Sequence, residues 1–317
     1  MYGPFLCMSG LNTIKNVLPY RDWFFILLFL PLAVKMFFTK FRKAAQAMSA
    51  DVALGAMCSS AMFCRLIGIT PLPWPQLLIL AGTVFLIYTA DHQLDIYRMQ
   101  QPPITERHRF HWQHRHLLRT IAGSVSVLLA ASAFLFLPRA VLFYGILLAG
   151  AVSAYLLVVS RLPEAKARVW FHKEILIAVM YTAGVWGSVA VRAVSLQPFH
   201  RLSGVIFGLL ALQNLALFSY YEWEEDITQQ QRSLAKAWGK RTVRIGLFVL
   251  SGLLLSLLAA AGGFVHNAAE IAALITLWGM ALVLLALTLA PGYFRKDYRY
   301  RWLGDGIFLL PVWALFG

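Results

Sequence analysis

The sequence is poor in acidic residues and in cysteine. Its 317 residues include 14 Asp and Glu against 28 Lys and Arg, and only 3 cysteines. Cys7, Cys58 and Cys64 show no Cys-x-x-Cys spacing, which excludes a recognisable disulfide framework or cysteine metal site, so we interpret them as small apolar residues. The motifs Gly-x-x-x-x-Gly-Lys-Ser/Thr and Gly-x-Ser-x-Gly are also absent. P-loop and serine-hydrolase chemistries are therefore excluded.

Charged residues as a whole are scarce, at 13% of the chain, whereas apolar residues make up 60%. This balance excludes a soluble globular domain and is typical of a polytopic membrane protein. Nine apolar segments approach or reach the roughly 20 residues that a helix needs to cross a bilayer. They lie at 51–70, 74–97, 117–136, 140–160, 174–193, 202–221, 243–264, 269–290 and 300–316. We therefore predict an all-α fold in which nine transmembrane helices form a bundle over residues 51–317.

Residues 1–50 are interpreted as an N-terminal extension. It contains one further apolar segment, Trp23–Phe38, which is short and is interrupted by Lys35. This segment either spans the membrane or lies along its interface, and we favour the interface. The N-terminus has no basic region followed by a small-residue cleavage site, so a removed signal peptide is not expected.

The net charge of +14 arises from basic loops that alternate along the chain. Lys and Arg cluster before the first predicted span and after the second, fourth, sixth and eighth, while the other loops hold few charges. By the positive-inside rule, the basic loops are cytoplasmic and the C-terminus is outside. The charge thus indicates membrane topology and lipid contact, and no nucleic-acid partner is expected. We expect an integral protein of a bacterial inner membrane.

Six of the 14 acidic residues lie in two short clusters, each at the cytoplasmic end of a predicted span. The clusters are Asp91-x-x-x-Asp95 and Glu222-x-Glu224-Glu225-Asp226. Residues four apart share a helix face, and like charges stacked there repel each other strongly beside hydrocarbon. Cations are therefore expected to neutralise them, and Mg²⁺ is the obvious candidate. The alternative for each cluster is a solvated helix end balanced by nearby arginines.

Three polar side chains within the predicted spans are candidate ligand-binding groups. Tyr88 shares a helical stripe with the first cluster, and Asn214 lies two turns deeper than Glu222 on the same face. A buried amide such as Asn214 either cross-links helices or lines a ligand cavity. Tyr181 and Tyr88 are candidate wall residues, although tyrosine is also common as an anchor at membrane interfaces.

Basic residues at the same membrane surface are candidates for binding an anion such as a diphosphate. Arg98 lies one turn beyond Asp95, Lys173 begins the fifth predicted span, and Arg161 follows the fourth. Positive-inside topology and lipid headgroup contact are the alternative roles for all of them.

The loop 106–116 contains His108, His111 and His114 at spacings of three. Interleaved arginines disfavour a metal ion there, so we interpret the loop as a lid over a bound anion or as a contact for anionic lipid. His92 lies within the first cluster but on a different face from Asp91, so we interpret it as a neighbour rather than a ligand.

Over about residues 50–317, the order and spacing of these features resemble the UbiA superfamily of intramembrane prenyltransferases. The family's first motif is Asn-Asp-x-x-Asp-x-x-x-Asp, and its second half aligns with Asp91 and Asp95. Ile87 and Tyr88 stand where the family has Asn and Asp. The second motif, Asp-x-x-x-Asp, aligns with Glu222 to Asp226.

Two further stretches are similar to the family. The segment Arg232-Ser-Leu-Ala-Lys-Ala-Trp-Gly-Lys240 resembles the one that follows the second motif. Lys173-Glu174 leading to Tyr181-Thr-Ala-Gly-Val-Trp-Gly187 resembles the family's fifth helix.

This resemblance implies transfer of a polyprenyl group from an isoprenoid diphosphate to an aromatic or other small acceptor. It implies that Asp91, Asp95, Glu222 and Asp226 are the catalytic residues and bind Mg²⁺, at a site that faces the cytoplasm. Arg98, Lys173, Arg161, Asn214, Tyr88 and Tyr181 would bind the substrates.

Other functions stay open at this point. A non-catalytic carrier or transporter of an isoprenoid or anionic lipid would use the same acids to bind a coupling cation. An inactive relative with a structural role is a third interpretation. The CDP-alcohol phosphotransferases are disfavoured, because their Asp-Gly-x-x-Ala-Arg opening is missing. A quinone precursor, a tetrapyrrole, a sugar phosphate and an aromatic acid are all open as acceptors.

Overall fold

The computed structural model describes residues 49–98, 106–161, 173–228 and 233–316, and every regular element within these ranges is helical. The predicted segment Trp23–Phe38 lies outside the described residues. In chain order the α-helices are α1 (Ala50–Leu66), α2 (Trp74–Arg98), α3 (Glu106–Gln113), α4 (Arg115–Phe136), α5 (Arg139–Arg161), α6 (Lys173–Thr182), α7 (Ser188–Ala190), α8 (Pro198–Tyr221), α9 (Trp223–Thr228), α10 (Leu234–Trp238), α11 (Lys240–Ala261), α12 (Ala268–Leu289), α13 (Pro291–Arg295) and α14 (Arg299–Gly306). A π-helical turn, Ala183–Gly187, joins α6 to α7, and 3₁₀ helices occupy Gly262–Phe264, Lys296–Tyr298 and Ile307–Leu315.

Six of these helices are long and apolar enough to cross a membrane: α2, α4, α5, α8, α11 and α12. All six coincide with predicted spans, because an uninterrupted apolar run of this length satisfies its backbone only as a helix in lipid. The prediction of an all-α integral membrane protein is thereby confirmed.

The other three predicted spans coincide with helical segments that are shorter or that change helix type. α1 has 17 residues, and the fifth predicted span is divided by the π-helical turn. The last combines the 8 residues of α14 with the 9 residues of the 3₁₀ helix Ile307–Leu315. Because a 3₁₀ helix rises about 2.0 Å per residue against 1.5 Å for an α-helix, this composite is about 30 Å long.

Helix α1 lies in the core and packs most extensively against the 3₁₀ helix Ile307–Leu315. Gly55 permits the close approach, since a Cβ at this position would lie only 2.7 Å from Phe308 Cβ. The Ser59 hydroxyl donates to the Phe308 carbonyl (3.3 Å) and Arg65 Nε donates to the Ala314 carbonyl (3.1 Å). These bonds align the two segments along their length.

Helix α8 is the second central element, and its buried side contacts α6, α11 and α12. Gln213 Nε2 donates to Ser251 Oγ of α11 (2.7 Å), and the Tyr221 hydroxyl donates to the Leu287 carbonyl of α12 (2.7 Å). By contrast, most side chains of α4 are exposed, including Val127, Phe134 and Leu135. An exposed apolar face of this kind suits contact with lipid.

Candidate functional site

The second acidic cluster begins where α8 ends. The Glu222 N–H donates to the Phe218 carbonyl (2.9 Å), and the Asp226 N–H donates to the Glu222 carbonyl (2.8 Å). Helical spacing therefore continues from α8 into α9 in spite of the break at Glu222, and the two carboxylates lie one turn apart.

Glu222 is neutralised by a residue that the sequence patterns did not single out. Arg301 of α14 lies 2.8 Å from Glu222 Oε2, and the Tyr300 hydroxyl lies 3.3 Å from Oε1. The Tyr300 ring stacks on Tyr221 with centroids 4.3 Å apart and planes 3° from parallel. α14 thus closes one side of the cluster with a cation and an aromatic face.

Asp226 is buried and accepts a hydrogen bond from Ser233. The pKa of Asp226 is raised to about 7, chiefly by burial; the hydrogen bond from Ser233 opposes this rise, and the neighbouring carboxyls of Glu222, Glu174 and Glu225 contribute to it. Burial and Glu222 also raise the pKa of Glu225. Glu225 and Asp226 therefore ionise less readily than free carboxyls, and each favours either a proton or an added cation.

Basic side chains cover the outer edge of this cluster. Lys240 Nζ and Arg295 Nη1 both lie 3.1 Å from Glu224 Oε1, and Arg295 also donates to the Tyr221 carbonyl (3.0 Å). Lys240 lies over the Trp223 ring, 5.0 Å from its centroid. The pKa of Glu224 is lowered, chiefly by its hydrogen bond from Lys240.

In the first acidic cluster, Asp91 contacts Lys173. Lys173 Nζ lies 2.9 Å from Asp91 Oδ2, and both side chains are about one quarter exposed, at 26% and 23%. Sequence reasoning assigned Lys173 to a diphosphate; in the structure it contacts a predicted metal ligand. The side chains of Asp95, Arg98 and Arg161 lie outside the described residues.

Glu174, the residue next to Lys173, contacts the segment that follows the second cluster. Glu174 Oε1 accepts a hydrogen bond from the Leu234 N–H (2.7 Å), and Ser219 Oγ accepts one from the Ala235 N–H (2.7 Å). The first amides of α10 are thus bound by α6 and α8, as orphan donors at a helix N-terminus require. The start of α6 therefore contacts both the first cluster and the segment that follows the second.

Helix α3 packs on α2 beside the first cluster. The rings of His111 and His92 have centroids 4.9 Å apart, and both side chains are buried. His114 lies against the Phe110 carbonyl instead, with Nδ1 at 3.0 Å. The structure places α3 beside the end of α2 that carries the first cluster, and His111 and His114 have different surroundings.

A small, partly open pocket lies deeper along the same helices. Its polar lining residues are Tyr88, Tyr181, Asn214 and Asp305. Tyr88 is one turn from Asp91, and Asn214 is eight residues from Glu222, about 12 Å along α8. The structure therefore brings three of the predicted substrate-binding residues, Tyr88, Tyr181 and Asn214, together in one pocket.

The remainder of the pocket is apolar, with Val52, Ile177, Leu215 and Phe308 among its walls. The Tyr181 hydroxyl and Asn214 Oδ1 are buried and have no hydrogen-bond partner within the described ranges. Asn214 therefore does not use this atom to join helices, and it lines the cavity instead.

The second cluster fits a divalent cation in part. No group of three His, Cys, Asp or Glu side chains within the described ranges is arranged to hold a metal ion. Mg²⁺, however, commonly binds one or two carboxylates and takes its other ligands from substrate phosphates and water. Glu222 and Asp226, one helical turn apart, supply such a pair.

Three functional candidates on α14 were missed by sequence reasoning: Tyr300, Arg301 and Asp305. Positive-inside topology explained the basic residues before the last span, so Arg301 carried no separate signal. Asp305 did carry one, because an acidic residue inside a predicted span is costly unless it has a role.

A scan against models of known protein families finds no match, and a search of curated proteins finds no match either.

Proposed function

We propose that this protein is a Mg²⁺-dependent intramembrane prenyltransferase with a nine-helix bundle similar to that of the UbiA superfamily. It would transfer a polyprenyl group from an isoprenoid diphosphate to an aromatic or other small acceptor. In this proposal α1, the α6–α7 segment and the α14–3₁₀ segment also cross a bacterial inner membrane, and the site faces the cytoplasm.

The observation that carries the proposal is a pocket with a few polar groups in apolar walls, below two acidic helix ends. α2 and α8 each contribute a carboxylate at the surface and a polar pocket residue one to two turns deeper: Asp91 with Tyr88, and Glu222 with Asn214. A diphosphate at the surface and a reacting carbon in the pocket would fit this spacing. The exposed apolar faces around the bundle provide contact with the lipid in which a polyprenyl chain dissolves.

Glu222 and Asp226 would hold Mg²⁺ from one side, and Asp91 with Asp95 from the other. When bound, Mg²⁺ would neutralise the charge of the departing diphosphate. Lys173 and Arg301 already lie within 3 Å of Asp91 and Glu222, so they are placed to contact diphosphate oxygens beside these carboxylates. The walls formed by Tyr88, Tyr181 and Phe308 would exclude water and stabilise positive charge on the prenyl group.

A second candidate is a non-catalytic carrier of an isoprenoid or anionic lipid. The specific observation in its favour is that the cations expected at the clusters are in part the protein's own: Lys173 at Asp91 and Arg301 at Glu222. Such ion pairs satisfy the carboxylates without a metal. A carrier binds its ligand without releasing diphosphate, so product analysis separates the two functions.

The test is diphosphate release by the purified full-length protein in lipid vesicles. The assay contains geranylgeranyl or a longer prenyl diphosphate, Mg²⁺ and a mixture of small acceptors, and mass analysis identifies the product. We expect release that requires Mg²⁺ and that falls at least a hundredfold in Asp95→Asn and in Asp226→Asn, on the order of a lost electrostatic catalytic contact.

The matched control is Asp297→Asn, which removes a carboxylate that is 82% exposed and contacts Arg299 outside both clusters. Release should be unchanged in this variant. If the wild-type protein binds prenyl diphosphate in a Mg²⁺-dependent manner but releases no diphosphate, the carrier function would be favoured over the enzymatic one. Equal diphosphate release in all variants would show that the acidic clusters have no role in the reaction.

A further inference from the structure

Two arginines lie at the end of the bundle opposite to the acidic clusters. Arg65 is in the last turn of α1, and Arg192 follows the end of α7. Gln76, which contacts Arg192, precedes Asp91 by about four turns of α2, so about 22 Å of helix separates this end from the first cluster. The positive-inside rule predicts that this end is not cytoplasmic and disfavours arginine there, so these two residues call for a role of their own.

Both guanidinium groups are held by the fold. Arg65 Nε donates to the Ala314 carbonyl (3.1 Å), and Arg192 Nη1 donates to Gln76 Oε1 (3.0 Å). Gln76 Nε2 in turn donates to the Ser188 carbonyl of α7 (3.1 Å). Gln76 is only 4% exposed, so a buried amide uses both of its ends to fix Arg192 between α2 and α7.

Neither arginine has an acidic partner. Within the described ranges no carboxylate contacts Arg65 or Arg192, and Glu270, at the start of α12 at the same end of the bundle, lies 3.4 Å from His200 instead. Each guanidinium carries five N–H groups and uses one of them in the contacts above. Both side chains are partly exposed, so an anion from outside can reach the other N–H groups.

The two positive charges lie near each other at the membrane surface. α1 packs against the π-helical turn and α7, the segment that leads to Arg192. Both guanidinium groups act electrostatically on the same buried thiol, that of Cys64. Trp74, which begins α2 two residues before Gln76, is 46% exposed. An exposed tryptophan at a helix end is typical of the headgroup level of a membrane.

We infer that Arg65 and Arg192 form a binding site for a phosphate group. Guanidinium groups match the geometry of phosphate oxygens and form charge-assisted hydrogen bonds with them. A phosphate here would accept from the N–H groups that the protein leaves available and would offset two positive charges that have no acidic partner. A lipid headgroup and a free phosphate ion offer the same chemistry. The site shares no residue with the acidic clusters or the pocket, so its occupancy is independent of prenyl transfer.

The test is the rate at which phenylglyoxal modifies each arginine of the purified full-length protein in dodecyl maltoside, a detergent without phosphate. Peptide mass analysis separates Arg65 and Arg192 from the other arginines. Parallel samples contain sodium chloride, inorganic phosphate or short-chain phosphatidylglycerol at matched ionic strength. At a ligand concentration about ten times its dissociation constant, modification of both arginines should slow about tenfold, because about one tenth of the sites stay empty. Slowing by phosphatidylglycerol alone would assign the site to a lipid headgroup, and slowing by inorganic phosphate as well would assign it to a free phosphate ion.

Arg201 is the internal control, because it lies at the same end of the bundle, is exposed, and donates through Nε to the Leu196 carbonyl (3.0 Å). Its modification rate should be the same in all samples. Arg192→Gln and Arg201→Gln each remove one positive charge from this end, and only Arg192→Gln should abolish the protection of Arg65. Equal rates at Arg65 and Arg192 in all wild-type samples, equal slowing of Arg201, or full protection of Arg65 in Arg192→Gln would each contradict the site. The wild-type comparison needs no substitution, so it stands even if a variant fails to fold.

Discussion

Three carboxyls at the end of α8 differ in what compensates their charge. Glu222 contacts Arg301, and Glu224 contacts Lys240 and Arg295. Asp226 is buried, and its hydrogen bond from Ser233 only partly offsets the cost of burying it. At the scale of single residues, Asp226 is therefore the carboxyl whose protonation is most sensitive to the fold.

This difference predicts how stability varies with pH. The pKa of Asp226 is about 7 in the folded protein against an ordinary value of 3.8, so the folded state binds a proton between these values that the unfolded state releases. The stabilisation is complete below pH of about 4 and is lost as pH rises through about 7. The linked free energy is on the order of 4 kcal/mol.

In Mg²⁺-free detergent solution, the apparent melting temperature of the wild type minus that of Asp226→Asn should fall between pH of about 4 and 7 and then level off. The exposed variant Asp297→Asn should follow the wild-type curve over the same range. Parallel curves for the wild type and Asp226→Asn would show that Asp226 ionises normally.

The residues of the site were only partly predictable. Asp91, Glu222 and Asp226 were recognisable because acids are rare in this chain and recur four apart at span ends. Their partners were not, because Lys173 and Arg301 are distant in sequence and look like other positive-inside residues. Helix packing determines which basic side chain pairs with which carboxylate, and this pairing cannot be predicted from a single sequence.

At the scale of elements, α8 and α14 approach each other through a glycine. A Cβ at Gly304 would lie 2.8 Å from Phe218 Cε1 and would also collide with Asn214 Oδ1. By contrast, a Cβ at Gly306, two residues further along the same helix, would meet no atom within 4 Å. The two glycines therefore form a matched pair for testing this contact.

We expect Gly304→Ala to destabilise the protein by about 1–3 kcal/mol, the usual cost of overpacking a closed interface. Gly306→Ala should be neutral or slightly stabilising, because alanine favours a helix by up to about 1 kcal/mol over glycine. Apparent melting temperatures in detergent measure both effects. Equal melting temperatures for the two variants would contradict the close approach of α8 and α14.

The elements themselves were predictable where apolar sequence was the only determinant. The six long apolar runs became helices near the expected bounds, for example Pro198–Tyr221 for the predicted 202–221. The π-helical turn Ala183–Gly187 was not foreseen, because it depends on a neighbour: the Tyr144 hydroxyl of α5 donates to the Ala183 carbonyl (2.9 Å). The 3₁₀ helix likewise follows from its contact with α1, which local sequence does not encode.

At the scale of the whole molecule, the basic residues define one face. The side chains of Lys173, Lys240 and Arg295 contact the acidic clusters at the ends of α2 and α8. The positive-inside rule predicts that this face is cytoplasmic. The loop between α7 and α8 leads into the opposite end of α8, where Val194 is fully exposed.

Single cysteines test this orientation. In a background without Cys7, Cys58 and Cys64, a membrane-impermeant maleimide should label Val194→Cys in intact cells. It should label Glu224→Cys, at a side chain that is 62% exposed, only after the membrane is opened. Labelling of both cysteines in intact cells would show that the two sites lie on the same side of the membrane. The reverse pattern would show that the protein has the opposite orientation.

Lys173 and Glu174 are consecutive residues, yet one contacts Asp91 of α2 and the other contacts the first amide of α10. A rigid displacement of the start of α6 would therefore break both contacts in a single movement. The start of α6 therefore connects the first cluster to the segment that follows the second cluster. A ligand that shifts the backbone at the start of α6 would therefore disturb the contact with Asp91 and the contact with α10 together.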